Sequence, residues 1–270
     1  MAKNFLINGD TKNFLSPFDR GLAFGDGVFR TFLIKDRKPV HWENQYQKLS
    51  MDLKAIDIKP PTQKKLLTEI QKLFPLKGIF ISKIIVTRGE SQTGYDFYKG
   101  IKPTRILLKI DFNRNKYEIF KKGVWLTVSN IRAKKSYNPG IKDLNRLENV
   151  LARKDISRNF FDAIMIDNNE NICDCARSSL FIRYGSTLYT ASNKSSGIHG
   201  VTKKIICENI KKLNLTIDYS PLTLNQLEKA DEVIVSNSIF GALQVVRFKN
   251  SKWKKRALAN SITNLLNESD

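Results

Sequence analysis

Apolar and polar positions change period several times along the chain, and each change predicts an element. Phe5–Ile7 reads as a short strand ending at the turn signal Asn8-Gly9-Asp10. Residues 28–34 are rich in β-formers and run into the turn-like Lys35-Asp36-Arg37. Residues 43–55 carry apolar side chains at 46, 49 and 53, a helical spacing. Residues 62–74 do the same with Leu66, Leu67, Ile70, Leu73 and Phe74, opened by Pro60-Pro61 and closed by Pro75. Ile79–Thr87 and 105–110 predict long buried strands. The stretch 111–123, DFNRNKYEIFKKG, is polar and basic and is the predicted domain boundary.

Beyond it the pattern predicts a strand at 124–129, a loop at Ser136-Tyr137-Asn138-Pro139-Gly140, and a helix over 143–159 with Leu144, Leu147 and Leu151 on one face. Two hairpins follow: 163–166 returning into Cys173, and 180–183 returning through 187–190. A helix over 202–213, strands at 216–219, 232–235 and Gly241–Phe248, and a terminal helix over 257–267 complete the series. Strands dominate both halves, with helices interspersed irregularly, which is an α+β pattern. No internal repeat or low-complexity tract is present.

Composition narrows the class. The 270 residues are 41% hydrophobic, enough for a packed core and against intrinsic disorder. No apolar run approaches the ~18–20 residues of a membrane helix, and the N-terminus MAKNFLINGD lacks the pattern of a signal peptide; the expectation is a cytoplasmic protein. Cys173, Cys175 and Cys207 are too few for a disulfide framework. With His41 and His199 remote from the C-x-C pair, no metal site is expected. Forty-six Lys and Arg against 26 Asp and Glu give a net charge of +20. The basic residues are scattered, the only block of three being Lys254-Lys255-Arg256, so the charge predicts a solvated surface rather than a specific nucleic-acid site, and an anionic small substrate fits its sign equally well.

Candidate chemistry is sparse. Gly25-Asp26-Gly27 precedes a strand and lacks both the strand–loop–helix setting of a dinucleotide site and the lysine of a P-loop, so a tight turn needing positive φ is the favoured reading. Lys142 follows a Pro-Gly loop, where a rigid neighbour would hold it; a surface lysine is the plain alternative, a lysine that condenses with a cofactor aldehyde the functional one. Asp174 lies among small and apolar residues and is either a turn aspartate or the partner of a buried cation. Gly200-Val201-Thr202 opens a helix and offers amides and a hydroxyl to an anion. Ser236-Asn237-Ser238 ends an apolar strand with further donors. A lysine, a carboxylate and two phosphate-binding elements are the parts of a pyridoxal phosphate site.

Seven segments in order along the chain resemble the class IV aminotransferases, the fold-type-IV pyridoxal phosphate enzymes: FLING at 5–9, DRGLAFGDGVFRT at 19–31, TRGESQTGY at 87–95, GIKDLNRLENVLAR at 140–153, then 162–181, 200–202 and 230–245. The resemblance implies an α+β two-domain fold, a small N-terminal domain over about 1–114 and a larger one over about 118–270 carrying the cofactor lysine. It also implies pyridoxal 5'-phosphate as cofactor, held between the domains of a homodimer. Lys142 matches the cofactor lysine, and Asp174 stands where the family usually has Glu beside the pyridine nitrogen. Lys48 stands where it usually has the arginine that grips the phosphate. Val201 and Thr202 match the helix-start phosphate cup, and Asn237 and Ser238 the second phosphate contact. Arg30, Arg88 and Arg146 lie in the motifs placed to meet substrate carboxylates. GIKDLNRLENVL, TRGESQTGY and ADEVIVSN are most similar to the branch that cleaves 4-amino-4-deoxychorismate to 4-aminobenzoate and pyruvate, a step of folate biosynthesis. Thr93, where that branch often has Arg, departs from it. Amino transfer on D- or branched-chain amino acids is the alternative, and a basic binding protein without enzymatic activity the third.

Overall fold

A computed structural model describes residues 4–12, 14–154, 156–254 and 256–270, so Lys255 of the basic block lies outside it. Two compact units emerge. One contains the chain up to Phe112 together with Ile141–Asn145; the other contains Asn113–Gly140 and Arg146–Asp270. The division thus falls inside the polar stretch 111–123, but Lys142 belongs with the first unit, not with the C-terminal domain where the expectation put it.

In the first unit the elements run β1 (Phe5–Ile7), α1 (Arg20–Phe24), β2 (Gly27–Lys35), β3 (Lys38–Pro39), α2 (Trp42–Lys54), α3 (Gln63–Leu73), β4 (Ile79–Thr87) and β5 (Thr104–Asp111). The strands form one sheet in the order β1-β5-β4-β2-β3. Asp36 and Arg37 both have positive φ, which makes the β2–β3 connection the two-residue turn that matches strand twist. Alternation along β2 buries Val28, Arg30, Phe32 and Ile34 on one face. That face packs with Leu49 and Leu53 of α2 and Leu66, Ile70 and Leu73 of α3. The apolar stripes predicted for both helices therefore do cover the sheet. Thr62 starts α3 by accepting the Lys65 N–H at 3.3 Å.

The second unit runs α4 (Arg114–Lys121), β6 (Val124–Val128), α5 (Leu147–Lys154), β7 (Asp162–Ile166), β8 (Ile172–Cys175), β9 (Ser179–Tyr184), β10 (Thr187–Tyr189), α6 (Val201–Asn209), β11 (Thr216–Asp218), α7 (Leu224–Glu228), β12 (Glu232–Asn237), β13 (Gly241–Phe248), β14 (Ser251–Lys252) and α8 (Leu258–Glu268). Its mixed sheet is ordered β11-β10-β9-β12-β13-β6-β7-β8, with β14 paired to β13. Both predicted hairpins, β7–β8 and β9–β10, are antiparallel pairs. One face holds the core of Val124, Ile164, Leu180, Val233 and Leu243; α6 and α8 close the other through Ile205, Ile206, Ile262 and Leu266.

Three expectations need correction. The helix over 143–159 shrinks to α5. Residues Ile141–Asn145 instead run extended beside β2, where the Phe29 N–H reaches the Lys142 carbonyl at 3.0 Å and the Leu144 N–H reaches that of Gly27 at 3.0 Å. A strand-like bond pattern at 142 and 144 excludes the helical one. On α5 itself Leu147 and Leu151 are exposed rather than buried. The helix over 202–213 ends at Asn209 and tightens into a 3₁₀ turn, stopped by Asn214 in the left-handed region. Finally, the polar stretch 111–123 contains α4, capped by Asn113 and holding Tyr117 and Phe120 against Phe240.

Candidate functional site

The polar groups named from the sequence divide between the two units. In the first unit Arg30, Lys48 and Lys142 gather on Asp52, and Arg88 lies apart on Asp26. Asp52 follows Leu49 on the apolar side of α2 and is 1% exposed. Arg30, on the covered face of β2, donates Nη2 to its Oδ2; Lys48, one helical turn earlier, donates Nζ to its Oδ1. The Lys142 backbone N–H reaches Oδ2 at 3.2 Å. One buried carboxylate thus joins two cations and fixes the backbone of Lys142. Burial pulls the Lys48 ammonium below its ordinary value and Asp52 opposes that pull.

The Lys142 side chain is placed by Phe29. Its Nζ lies 4.5 Å from the ring centroid, and Nζ of Lys83 lies 4.8 Å from the same ring. Phe29 is the neighbour of Arg30 on β2 and so points to the opposite face of the sheet. With its N–H on Asp52 and its C=O on Phe29, Lys142 has a fixed backbone and a side chain over an aromatic face.

Arg30 and Arg88 do not present an open guanidinium to a substrate carboxylate, which corrects the expectation for both. Arg30 is buried on Asp52. Arg88 grips Asp26 through Nε at 2.7 Å and Nη2 at 3.1 Å, donates to the carbonyls of Ile56 and Asp57, and stacks 3.8 Å from the Phe97 ring. Arg20 binds the same Asp26 and the carbonyls of Gly94, Tyr95 and Asp96, so the two arginines order the 94–97 loop.

In the second unit, Asp174 on β8 is 8% exposed and points into the protein. Its Oδ1 accepts the Leu180 N–H at 2.9 Å and its Oδ2 accepts Nδ2 of Asn193 at 3.2 Å. Burial lifts its carboxyl above the usual range, against the pull of Lys203 and of these two donors. Lys203, also buried, donates Nζ to Oδ1 of Asn193 at 2.5 Å and to the Ala191 carbonyl.

The start of α6 lies in the same unit. Gly200 is its N-cap and makes no side-chain cap, so the first-turn amides of Val201 and Thr202 are left to other acceptors. The Thr202 hydroxyl meets that of Ser238 at 3.0 Å. Asn237 builds the turn beneath Ser238: its Oδ1 accepts the N–H groups of Ile239 and Phe240 at 3.0 and 2.9 Å. Asn237 therefore shapes the turn with its side-chain oxygen, while Thr202 and Ser238 supply hydroxyls. First-turn amides, two hydroxyls and the positive end of a helix are a donor set suited to a phosphate dianion, and a buried carboxylate suits a cationic ring nitrogen. Arg146 belongs to this unit and stands just before α5, its carbonyl accepting the Val150 N–H at 3.0 Å.

Asp52, Asn193 and Lys203 went unread in the sequence. Asp52 had a signal, a carboxylate beside Leu49 and Leu53 on the covered side of a helix. Asn193 and Lys203 had none, in a chain so rich in lysine.

Comparison with known proteins adds the following. The family model "Amino-transferase class IV" matches residues 27–248. Aminodeoxychorismate lyase of Bacillus subtilis is 26% identical over 240 residues, covering 87% of this chain and 80% of that protein. D-alanine aminotransferase of Listeria monocytogenes is 27% identical over 227 residues, covering 82% and 77%. Among solved structures, 4-amino-4-deoxychorismate lyase from Pseudomonas aeruginosa superposes with a TM-score of 0.87 at 27% identity and covers 98% of both chains.

Proposed function

The chain belongs to the class IV aminotransferase family, and from that premise we propose that it is a pyridoxal-phosphate-dependent lyase converting 4-amino-4-deoxychorismate to 4-aminobenzoate and pyruvate. The observation that carries the substrate is the likeness to the Pseudomonas lyase over 98% of both chains. Pyridoxal 5'-phosphate, the cofactor of the family, supplies an aldehyde for the substrate amine and a ring that draws off electrons.

Lys142 takes the role of the lysine that meets that aldehyde, since its backbone is fixed by Asp52 and Phe29. Asp174 would pair with the pyridine nitrogen and hold a proton on it. The α6 amides at Val201 and Thr202, with the Thr202 and Ser238 hydroxyls, bind the phosphate. Asn237 would support that site by shaping the turn beneath Ser238, whereas Lys48, where the family usually has the phosphate-gripping arginine, gives its ammonium to Asp52. In the reaction, the Lys142 amine takes the proton from substrate C4. Its ammonium then returns a proton to the methylene carbon of the departing enolpyruvyl group, which leaves as pyruvate. Aromatisation makes the step downhill, so acid–base help of about 10²–10⁴-fold suffices. With Arg30 and Arg88 committed to Asp52 and Asp26, Arg146 and Lys83 are the cations proposed for the substrate carboxylates. We also propose that the enzyme acts in the cytoplasm as a homodimer.

Amino transfer is the second reading, because the Listeria D-alanine aminotransferase is as similar in sequence as the lyases. Product analysis separates the two. The protein is incubated with added cofactor and with chorismate plus its amidating synthase. The lyase reading expects equal amounts of pyruvate and 4-aminobenzoate, both abolished in Lys142→Ala along with the borohydride-sensitive visible band. Amino transfer from D-alanine to α-ketoglutarate without that cleavage would replace the lyase with the transaminase.

A further inference from the structure

Asp174 is one methylene shorter than a glutamate would be, and it is buried. Such a carboxylate serves a cationic ring nitrogen only if it is both aimed and ionised. The aim comes from its two donors. The Leu180 N–H holds Oδ1 at 2.9 Å, and the Asn193 amide holds Oδ2 at 3.2 Å. Asn193 is not a passive donor. Its other end, Oδ1, is bound by the Lys203 ammonium at 2.5 Å, and its Nδ2 is shared with the Ser196 carbonyl at 3.3 Å. The amide therefore has a fixed direction: oxygen to the ammonium, nitrogen to the carboxylate.

The segment is built around that direction. Asn193 has φ +54, a left-handed conformation that asparagine tolerates better than most residues. Gly197 lies against it so closely that a Cβ there would stand 2.3 Å from Asn193 Nδ2. Lys203 sits on α6 and is 6% exposed, with the Ala191 carbonyl as its second acceptor. Both acceptors of Lys203 are neutral, so within this network the carboxylate its charge acts on is Asp174.

We infer that Lys203 and Asn193 are positioning residues that aim Asp174 and keep it ionised, so that it holds the proton on the cofactor's pyridine nitrogen; this rests on the functional reading above. Asp162 is the other carboxyl whose charge acts on Asp174, and it opposes its ionisation; burial pushes the nearby thiols of Cys173 and Cys175 up, so they bring no charge of their own. Lys203 is the cation set against Asp162. The relay offsets in this chain what the shorter side chain gives up in reach, and the polarised amide strengthens the hydrogen bond it donates.

The test uses the full-length holoenzyme loaded with pyridoxal phosphate labelled with ¹⁵N in the ring. Wild type shows the nitrogen shift of a protonated pyridine. In Lys203→Met and in Asn193→Gly, whose backbone suits the left-handed φ, the shift moves toward the unprotonated value. Cofactor Kd rises about tenfold or more in both, as expected for loss of a charge-assisted contact. Lys203→Arg restores the protonated signal. Folded variants with an unchanged nitrogen shift and Kd would overturn the inference. If Lys203→Met does not fold, Asn193→Gly decides by the same criterion. A wild type without the borohydride-sensitive band would instead remove the functional reading, and this inference with it.

Discussion

Carboxylates set the chemistry at the scale of single residues. Asp52 is held by two cations and an N–H, Asp174 by two neutral donors with an ammonium one amide away. Burial dominates at Asp174 and lifts its carboxyl above the ordinary 3.8. The consequence for stability has a definite sign. A carboxyl lifted on folding binds its proton more tightly folded than unfolded, so in the window between 3.8 and the lifted value the native state carries the extra proton. Stability then falls as pH rises through that window and is recovered on acidification. Each unit of lift is worth about 1.4 kcal/mol. Asp174→Asn cannot titrate. In cofactor-free protein, the thermal midpoint of wild type minus that of Asp174→Asn should therefore grow more positive from pH 7 toward pH 4. A difference that shrinks on acidification would show that donors, not burial, govern this group.

Among the elements, the turn between α1 and β2 shows how local rules place the site. Gly25 ends α1 in the left-handed region at φ +67, and its N–H returns to the Gly21 carbonyl at 3.2 Å. Gly27 is needed for a different reason: a Cβ there would stand 2.5 Å from the Val86 carbonyl of β4. At Gly25 the atoms in the way belong to the exposed side chain of Asn145, which is able to turn aside. Gly25→Ala is thus expected to cost about 1–2 kcal/mol from its backbone conformation alone. Gly27→Ala should cost more, because β4 is a central strand and its backbone does not yield. Urea midpoints of the two variants check the order. The turn was legible in the sequence, as were the long strands, the hairpins and the helices α2, α3 and α8, because alternation, apolar spacing and turn residues are local signals. The short helices α1, α4 and α7 were not, since five to eight residues carry too few periods. Nor was the extended run 141–145, whose bonds to β2 come from far away in the chain. The same divide separates Lys142 and Asp174, carried by motifs, from Asn193 and Lys203, which matter only through partners the fold supplies.

For the whole molecule the question is how a chain of net charge +20 would form the homodimer proposed above. Two such copies repel, so their contact must be built where apolar area outweighs charge. The second unit offers one such surface on α5, where Leu147 is 69% and Val150 63% exposed, with Leu151 beside them at helical spacing. The spacing is that of a buried helical face, yet among the described residues none covers it. In the first unit, Tyr95 is 84% exposed at a loop whose backbone Arg20 holds in place. An apolar contact between like-charged copies has a salt signature opposite to that of an interface held by ion pairs. Screening relieves the repulsion, the Debye length falling from about 10 Å at 0.1 M to about 3 Å at 1 M. Sedimentation equilibrium should accordingly show a dimer whose dissociation constant falls as salt is raised over this range. Leu147→Glu combined with Val150→Glu should weaken association at least about tenfold, the equivalent of 1.4 kcal/mol. Two deeply buried apolar side chains would contribute more than that. A dimer loosened by salt, or unmoved by the paired substitution, would place the contact elsewhere.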